Sequence, residues 1–250
     1  MSTAKRVMVN SSFLYIKMAL TLFLSLYTTR VILNALGRED YGLYTVIAGF
    51  TVMLTFFNTT LASSSQRFMA VAQGENLFSK QLSVFDISII LHIMAALIIG
   101  TILKISGLFI FDGFLNIEPE RISSAKTVFN FVIFTTLFSV LSVPFDAAVN
   151  AHEKMIFVAI LGFFESLLKL TAALVLTYAD IDKLILYGGL LTIISFLLFA
   201  SKAVYVAKNF KEARLNPKKY YDKLLFKEML TFSGWGFLTS TVSMITGHGQ

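Results

Sequence analysis

Cysteine is absent from the 250-residue chain, and histidine occurs only three times. The first absence excludes disulfide frameworks, cysteine-ligated zinc or iron–sulfur centres, and thiol catalysis. His92, His152 and His248 fall in separate regions, none in a His-Glu-x-x-His arrangement, so no nucleophilic or metal-based catalytic constellation emerges. Charge is scarce as well: 14% of residues are charged, against roughly 25% in an ordinary soluble domain. That deficit rules out a soluble enzyme. Gly and Pro number 14 and 3, too few for a disordered or collagen-like chain. The stretch from Gly37 to Gly42 lacks the Lys-Ser/Thr ending of a phosphate-binding loop.

What the chain has instead is apolar surface, with 56% hydrophobic residues and 25 Phe. Six long runs stand out: Phe13 to Leu36, Leu43 to Ala62, Ile87 to Phe111, Thr127 to Phe145, Met155 to Ala179 and Leu184 to Ala207. Each is about as long as the 20 residues that cross a hydrocarbon core, or longer. A β-barrel would show alternating segments of about 10 residues, so the predicted fold class is all-α and polytopic. A seventh span begins at Thr231, with Phe232, Trp235, Phe237, Leu238 and Ile245, before Gly247-His248-Gly249 interrupts it and Gln250 ends the sequence. The expected organisation is therefore a six-span bundle over residues 1–207, a linker over 208–230, and the truncated start of a second bundle over 231–250. A secretory signal peptide is rejected, because the first run is too long for an h-region and contains Lys17 and Arg30.

The net charge of +6 is to be read against a bilayer before any nucleic acid is invoked. With the N-terminus inside, twelve Lys and Arg fall on the cytoplasmic side, among them Lys5, Arg6, Arg67, Lys80, Lys154 and the run from Lys208 to Lys227. Four fall outside: Arg38, Arg121, Lys126 and Lys183. This asymmetry predicts a multi-pass protein with a cytoplasmic N-terminus. The stretch from Lys208 to Lys227 interleaves basic residues with Phe210, Tyr220, Tyr221 and Phe226, and reads as a basic amphipathic helix on anionic lipid headgroups rather than as a nucleic-acid site.

Ionisable residues within spans are the informative class, because a charge at the bilayer centre costs at least about 3 kcal/mol and faces a partner or a cavity. Glu165 and Lys169 lie near the middle of the fifth run, four residues apart with the acid first, which favours a helical ion pair. Two readings stand: a pair that neutralises itself for insertion, or part of a polar pathway in which Glu165 couples to an ion and Lys169 meets an anion. In the first run, Lys17, Thr21, Ser25 and Thr28 form a polar stripe at helical spacing, and Arg30 stacks one turn from Asn34, so this helix is expected to face a cavity. Lys104 suits either snorkelling or cavity lining, and Lys202 reads as an interfacial anchor. The cluster from Asn58 to Arg67 serves close helix packing or a substrate contact. Pro144, with Asp146 and Asn150 following, predicts a kinked or broken helix. Asp180 and Asp182 read as a solvated turn rather than a metal site. No metal or cofactor is expected.

The string RVILNALGREDYGLYTVIAGF (Arg30 to Phe50), then SSSQRF (Ser63 to Phe68), VPFDAAVNAHEKM (Val143 to Met155) and KKYYDKLLFKEMLTFSGWGF (Lys218 to Phe237), together resemble the bacterial polysaccharide and O-antigen flippases. These belong to the multidrug/oligosaccharidyl-lipid/polysaccharide (MOP) exporter superfamily. The resemblance implies two pseudo-symmetric bundles around a cationic cavity that moves a polyprenyl-diphosphate-linked oligosaccharide between leaflets by alternating access. It implies a bacterial inner-membrane transporter and not an enzyme, with membrane lipids and polysaccharide assembly proteins as further partners. Family members have twelve to fourteen spans, so the chain matches an N-terminal half and a missing C-terminal half is expected. The cavity cations would be Lys17, Arg30, Lys104 and Lys169, with Glu165 as the coupling residue. The alternatives are a multidrug extruder of the same superfamily, a truncated non-transporting fragment, and a membrane glycosyl- or acyltransferase, for which only His152-Glu153 offers an acid/base pair.

Overall fold

The computed structural model describes residues 3–52, 55–111, 117–213 and 220–247; the side chains of 3–11, 13, 14, 17, 52, 55–58 and 240–247 lie outside that description. Every regular element among the described residues is helical: α1 (Thr3–Val52), α2 (Thr55–Gly74), α3 (Phe78–Phe109), α4 (Ile122–Ala151), α5 (Met155–Thr177), α6 (Lys183–Asn209) and α7 (Lys223–Gly247), with single 3-10 turns at Pro119–Arg121 and Lys211–Ala213. Among the described residues five stretches are long and apolar enough to cross a membrane: Met18–Thr51, Phe78–Phe109, Pro119–Ala151, Met155–Thr177 and Lys183–Asn209. The six spans expected from the sequence are thus redistributed. The second expected run is divided between α1 and α2, and α2 carries the polar string Asn58 to Arg67 that lowers its apolarity.

At 50 residues α1 is longer than one crossing requires, and Gly37 breaks it into arms of residues 3–36 and 38–52. Gly37 adopts φ 81° and ψ 173°, a region that side chains with a Cβ rarely enter. Tyr187 of α6 shows the effect of the break. It shares a cavity with Thr28 and Ile32 of the first arm, and its ring centroid lies 4.8 Å from that of Tyr44 in the second. An unbroken helix would hold Ile32 and Tyr44 about 18 Å apart.

Two compact units share the helices. One comprises residues 1–51, 101–138 and 153–198. Within it, Gly188 admits the Phe131 ring so closely that a Cβ there would lie 3.2 Å from Cδ2. One turn on, the Thr192 hydroxyl donates to the Phe131 carbonyl at 3.0 Å. Small residues allow this approach of α4 and α6, as expected where lipid supplies no hydrophobic drive between helices. The other unit comprises 52–100, 139–152 and 199–250. Its core stacks Phe85, Phe145 and Phe199 edge to face. In it α2 packs on α7, where the buried Ser64 hydroxyl donates to the Met229 carbonyl at 3.2 Å and Gly236 sits against Thr60.

Two local expectations change. Helix α4 continues through Pro144 to Ala151, so the proline forfeits the hydrogen bond to the Val140 carbonyl without interrupting the helix. The region from Lys208 to Lys227 is not one amphipathic helix among its described residues: α6 stops at Asn209, the chain makes a 3-10 turn at 211–213, and α7 starts at Lys223. Asp222 begins α7 by accepting the Leu224 and Leu225 amides at 2.8 and 3.1 Å, an N-cap that satisfies otherwise orphaned donors. Helix α7 then runs to Gly247, and residues 248–250 lie outside the described residues.

Candidate functional site

The candidate site is a cavity of about 300 Å³ in the first unit, formed by the first arm of α1, α5 and α6. Helix α1 contributes Thr21, Ser25, Thr28, Thr29 and Ile32; α5 contributes Gly162, Glu165, Ser166 and Lys169; α6 contributes Tyr187. Residues 21, 25 and 28 share a face because their spacing follows the helical repeat. Glu165 and Lys169 lie within about one turn of the middle of α5, and the Lys169 ammonium donates to Glu165 Oε1 at 2.6 Å.

The hydroxyls facing this pair differ in what remains available to a ligand. Thr29 donates to the Ser25 carbonyl at 2.9 Å and Ser166 to the Gly162 carbonyl at 3.0 Å, so each keeps its oxygen lone pairs. The buried Thr21 hydroxyl has no hydrogen-bond partner. The cavity thus presents a cation, a carboxylate and several hydroxyls within spans, a set suited to sugar hydroxyls and phosphate oxygens.

Of the remaining candidates whose side chains are described, Arg30 and Lys104 do not line this cavity. Arg30 is exposed on another face of α1, two residues and about 200° beyond Thr28. Lys104 donates to the Asn130 side chain on α4. The side chain of Lys17 lies outside the described residues. Lys202 does more than anchor at an interface: it pairs with Asp146 of α4 at 2.7 Å.

Several ionic groups come together that sequence spacing did not connect. Arg121, ahead of α4, bridges Asp40 of α1 and Asp182 ahead of α6, the latter at 3.0 Å. Asp182 is therefore not a free solvated turn residue. Its Oδ2 also accepts the Ser124 hydroxyl at 2.7 Å, and its Oδ1 accepts the Leu184 and Ile185 amides at 3.0 and 3.3 Å. Partial burial opposes its charge, but these donors and Arg121 prevail and hold its pKa below the ordinary aspartate value. In the second unit, His152 pairs with the buried Glu212 and stacks on Phe210 at 4.0 Å. The Gln73 amide approaches its Nδ1 at 3.5 Å. Its partner is thus Glu212 rather than the neighbouring Glu153.

Two further groups were missed. Asp86 and His92 of α3 are almost wholly buried, at 1% and 0% exposure. His92 donates from Nδ1 to the Ser88 carbonyl at 2.8 Å, while its Nε2 has no partner. Asp86 sits one residue before the apolar run that starts at Ile87, which is why it escaped the count of intramembrane charges.

Comparison with solved structures identifies the architecture. The fold is similar to that of a MOP superfamily transporter from Pyrococcus furiosus Vc1 (DSM3638), described as having a binding pocket of reverse polarity that suggests a different function. The TM-score is 0.67 at 11% sequence identity, over 94% of this chain and 53% of the other. The chain therefore spans about half the length of that transporter, and shares its helical fold over that half. No family model and no curated protein sequence matches the chain.

Proposed function

We propose that the chain forms one half of a membrane transporter that moves a polyprenyl-diphosphate-linked oligosaccharide from the cytoplasmic to the outer leaflet by alternating access. It lies in a bacterial inner membrane with its N-terminus in the cytoplasm and acts with a second helical half and with polysaccharide assembly proteins. The observation that carries this reading is the hydroxyl-lined cavity around Lys169 and Glu165. A doubly anionic headgroup crossing hydrocarbon needs fixed cations, and sugar hydroxyls need donors and acceptors away from water. The MOP-like fold and the excess of Lys and Arg on one side support it. So does Arg30: an exposed guanidinium within a span is costly against lipid, and a second half facing α1 would cover it.

In this reading Lys169 attracts the diphosphate, helped by Arg30, Lys104 and Lys17, and Glu165 releases Lys169 when it takes up a proton or meets a cation. Proteoliposomes holding the chain together with its second helical half and a fluorescent polyprenyl-diphosphate oligosaccharide test it through the accessibility of the probe to an external quencher. Leaflet exchange should exceed that of protein-free vesicles, and Lys169→Ala should cut it about tenfold at equal protein abundance. Exchange no faster than in protein-free vesicles refutes the reading for this chain. Export of cationic dyes without lipid exchange would assign a multidrug extruder instead.

A further inference from the structure

A second cavity, of about 660 Å³, lies entirely within the other unit, where α2, the start of α3 and the start of α7 meet. Its cations are Arg67, Lys80 and Lys227, and Glu228 is its acid. Its apolar wall includes Phe68, Phe232 and Trp235. The groups are segregated along the helices. Lys80 and Lys227 fall in the first two turns of α3 and α7, and Arg67 lies two turns before the end of α2. Trp235 stands two turns further along α7 than Lys227, about 12 Å away along the axis, and is exposed. On α7, a charge at the helix start with aromatic surface one to two turns deeper matches the profile of a bilayer interface.

The cations are not equally committed. Lys80 pairs with Glu75 at 2.7 Å. The Arg67 guanidinium instead lies over the Phe232 ring, 4.6 Å from its centroid, which fixes its position while leaving its N–H fork available. An adjoining cavity of about 300 Å³ shares Lys80, Leu224, Leu225 and Glu228 and adds the hydroxyl residues Ser79 and Ser83, with Asp222. Asp222 is occupied as the cap of α7.

From this arrangement we infer that the cavity binds the phosphate headgroup of an anionic membrane lipid, with Arg67 and Lys227 on the phosphate and one acyl chain along Phe68, Phe232 and Trp235. A free phosphate ion would use the cations but not the aromatic wall. A zwitterionic lipid carries no net charge to match the Arg67 and Lys227 cations, which are not held by Glu75. The inference rests on the membrane placement proposed above but not on transport, so a chain that binds lipid here and moves nothing would leave it standing.

Trp235 is the single tryptophan of the chain, so its emission reports on this cavity alone. The purified full chain is titrated in detergent with dioctanoyl phosphatidylglycerol, dioctanoyl phosphatidylcholine and inorganic phosphate. Phosphatidylglycerol should give a saturable change in Trp235 emission. Arg67→Gln combined with Lys227→Gln should weaken it at least about tenfold, since each cation near an anionic lipid is worth about 1 kcal/mol. Lys223→Gln, which removes a charge from the same helix outside the cavity, should leave it unchanged. An equal response to phosphatidylcholine, saturation by inorganic phosphate at the same affinity, or equal weakening by Lys223→Gln would overturn the inference. A measurement on the unaltered protein guards against a misfolded variant. In vesicles, phosphatidylglycerol brominated on its acyl chain should quench Trp235 more than equally brominated phosphatidylcholine at the same mole fraction, and equal quenching would likewise overturn it.

Discussion

Neutralising the Glu165–Lys169 pair one partner at a time and then together separates a structural ion pair from a transport site. Lys169→Met leaves Glu165 without the ammonium that stands 2.6 Å away. An unpaired carboxylate near the bilayer centre costs about 3 kcal/mol. Both side chains are exposed to the cavity and surroundings, at 47% for Lys169 and 40% for Glu165, so water entering the cavity reduces this to about 1–3 kcal/mol. For a chain of this size that lowers the midpoint of thermal unfolding in lipid nanodiscs by roughly 2–10 °C. Glu165→Gln combined with Lys169→Met restores neutrality and should recover most of that loss, because the coupling between adjacent groups is not additive. Under the proposed function transport should not recover, since the cation proposed to meet the diphosphate is gone. The reasoning is refuted if the double variant regains both stability and leaflet exchange, for the pair then serves insertion and folding alone.

Two further outcomes test the packing and the charge clusters. Gly236 and Gly234 lie two residues apart on α7, yet a Cβ at Gly236 would approach Thr60 Cγ2 to 2.8 Å while one at Gly234 meets nothing within 4 Å. Gly236→Ala should therefore destabilise by about 1–3 kcal/mol, whereas Gly234→Ala should be neutral or stabilise by up to about 1 kcal/mol; thermal unfolding of the two variants decides, and equal shifts would contradict the α2–α7 packing. The depressed pKa of Asp182 fixes a second sign. Stability from this group is fully present above the ordinary aspartate value of 3.8 and is lost as the pH falls through the lower folded-state value. Arg121→Gln removes one of the interactions that depress it, so the fall in unfolding midpoint between pH 5 and about pH 3 should be smaller in the variant than in the parent; a larger fall would contradict the assignment.

The helical, membrane-crossing class and the local ion pair were legible in the sequence. In lipid every backbone donor and acceptor must be satisfied within its own segment, so runs of about 20 apolar residues fix the class without reference to any partner. Glu165 and Lys169 were readable as a pair because a helix places residues four apart on one face. The stripe of Thr21, Ser25 and Thr28 was readable for the same reason, but not what it faces. That these hydroxyls share a cavity with the α5 pair is decided by how α1 and α5 pack, which periodicity on either helix does not contain.

The same limit explains what was misplaced. Arg121, Asp40 and Asp182 are brought together across 81 and 61 residues, and a charge count assigns each to a side without assigning it a partner. At its described start, over residues 210–213, the expected basic amphipathic helix gives way to a turn where Phe210 stacks on His152 and Glu212 is buried beside it, contacts supplied by the end of α4. Helix α3 is apolar on nearly all sides, so no periodicity marked the faces on which Asp86 and His92 are buried. Composition and helical spacing determined what the chain dissolves in and which residues share a helix face; only tertiary packing decided which faces meet, because the charges and hydroxyls that compose a site come from segments whose separation in sequence carries no distance in space.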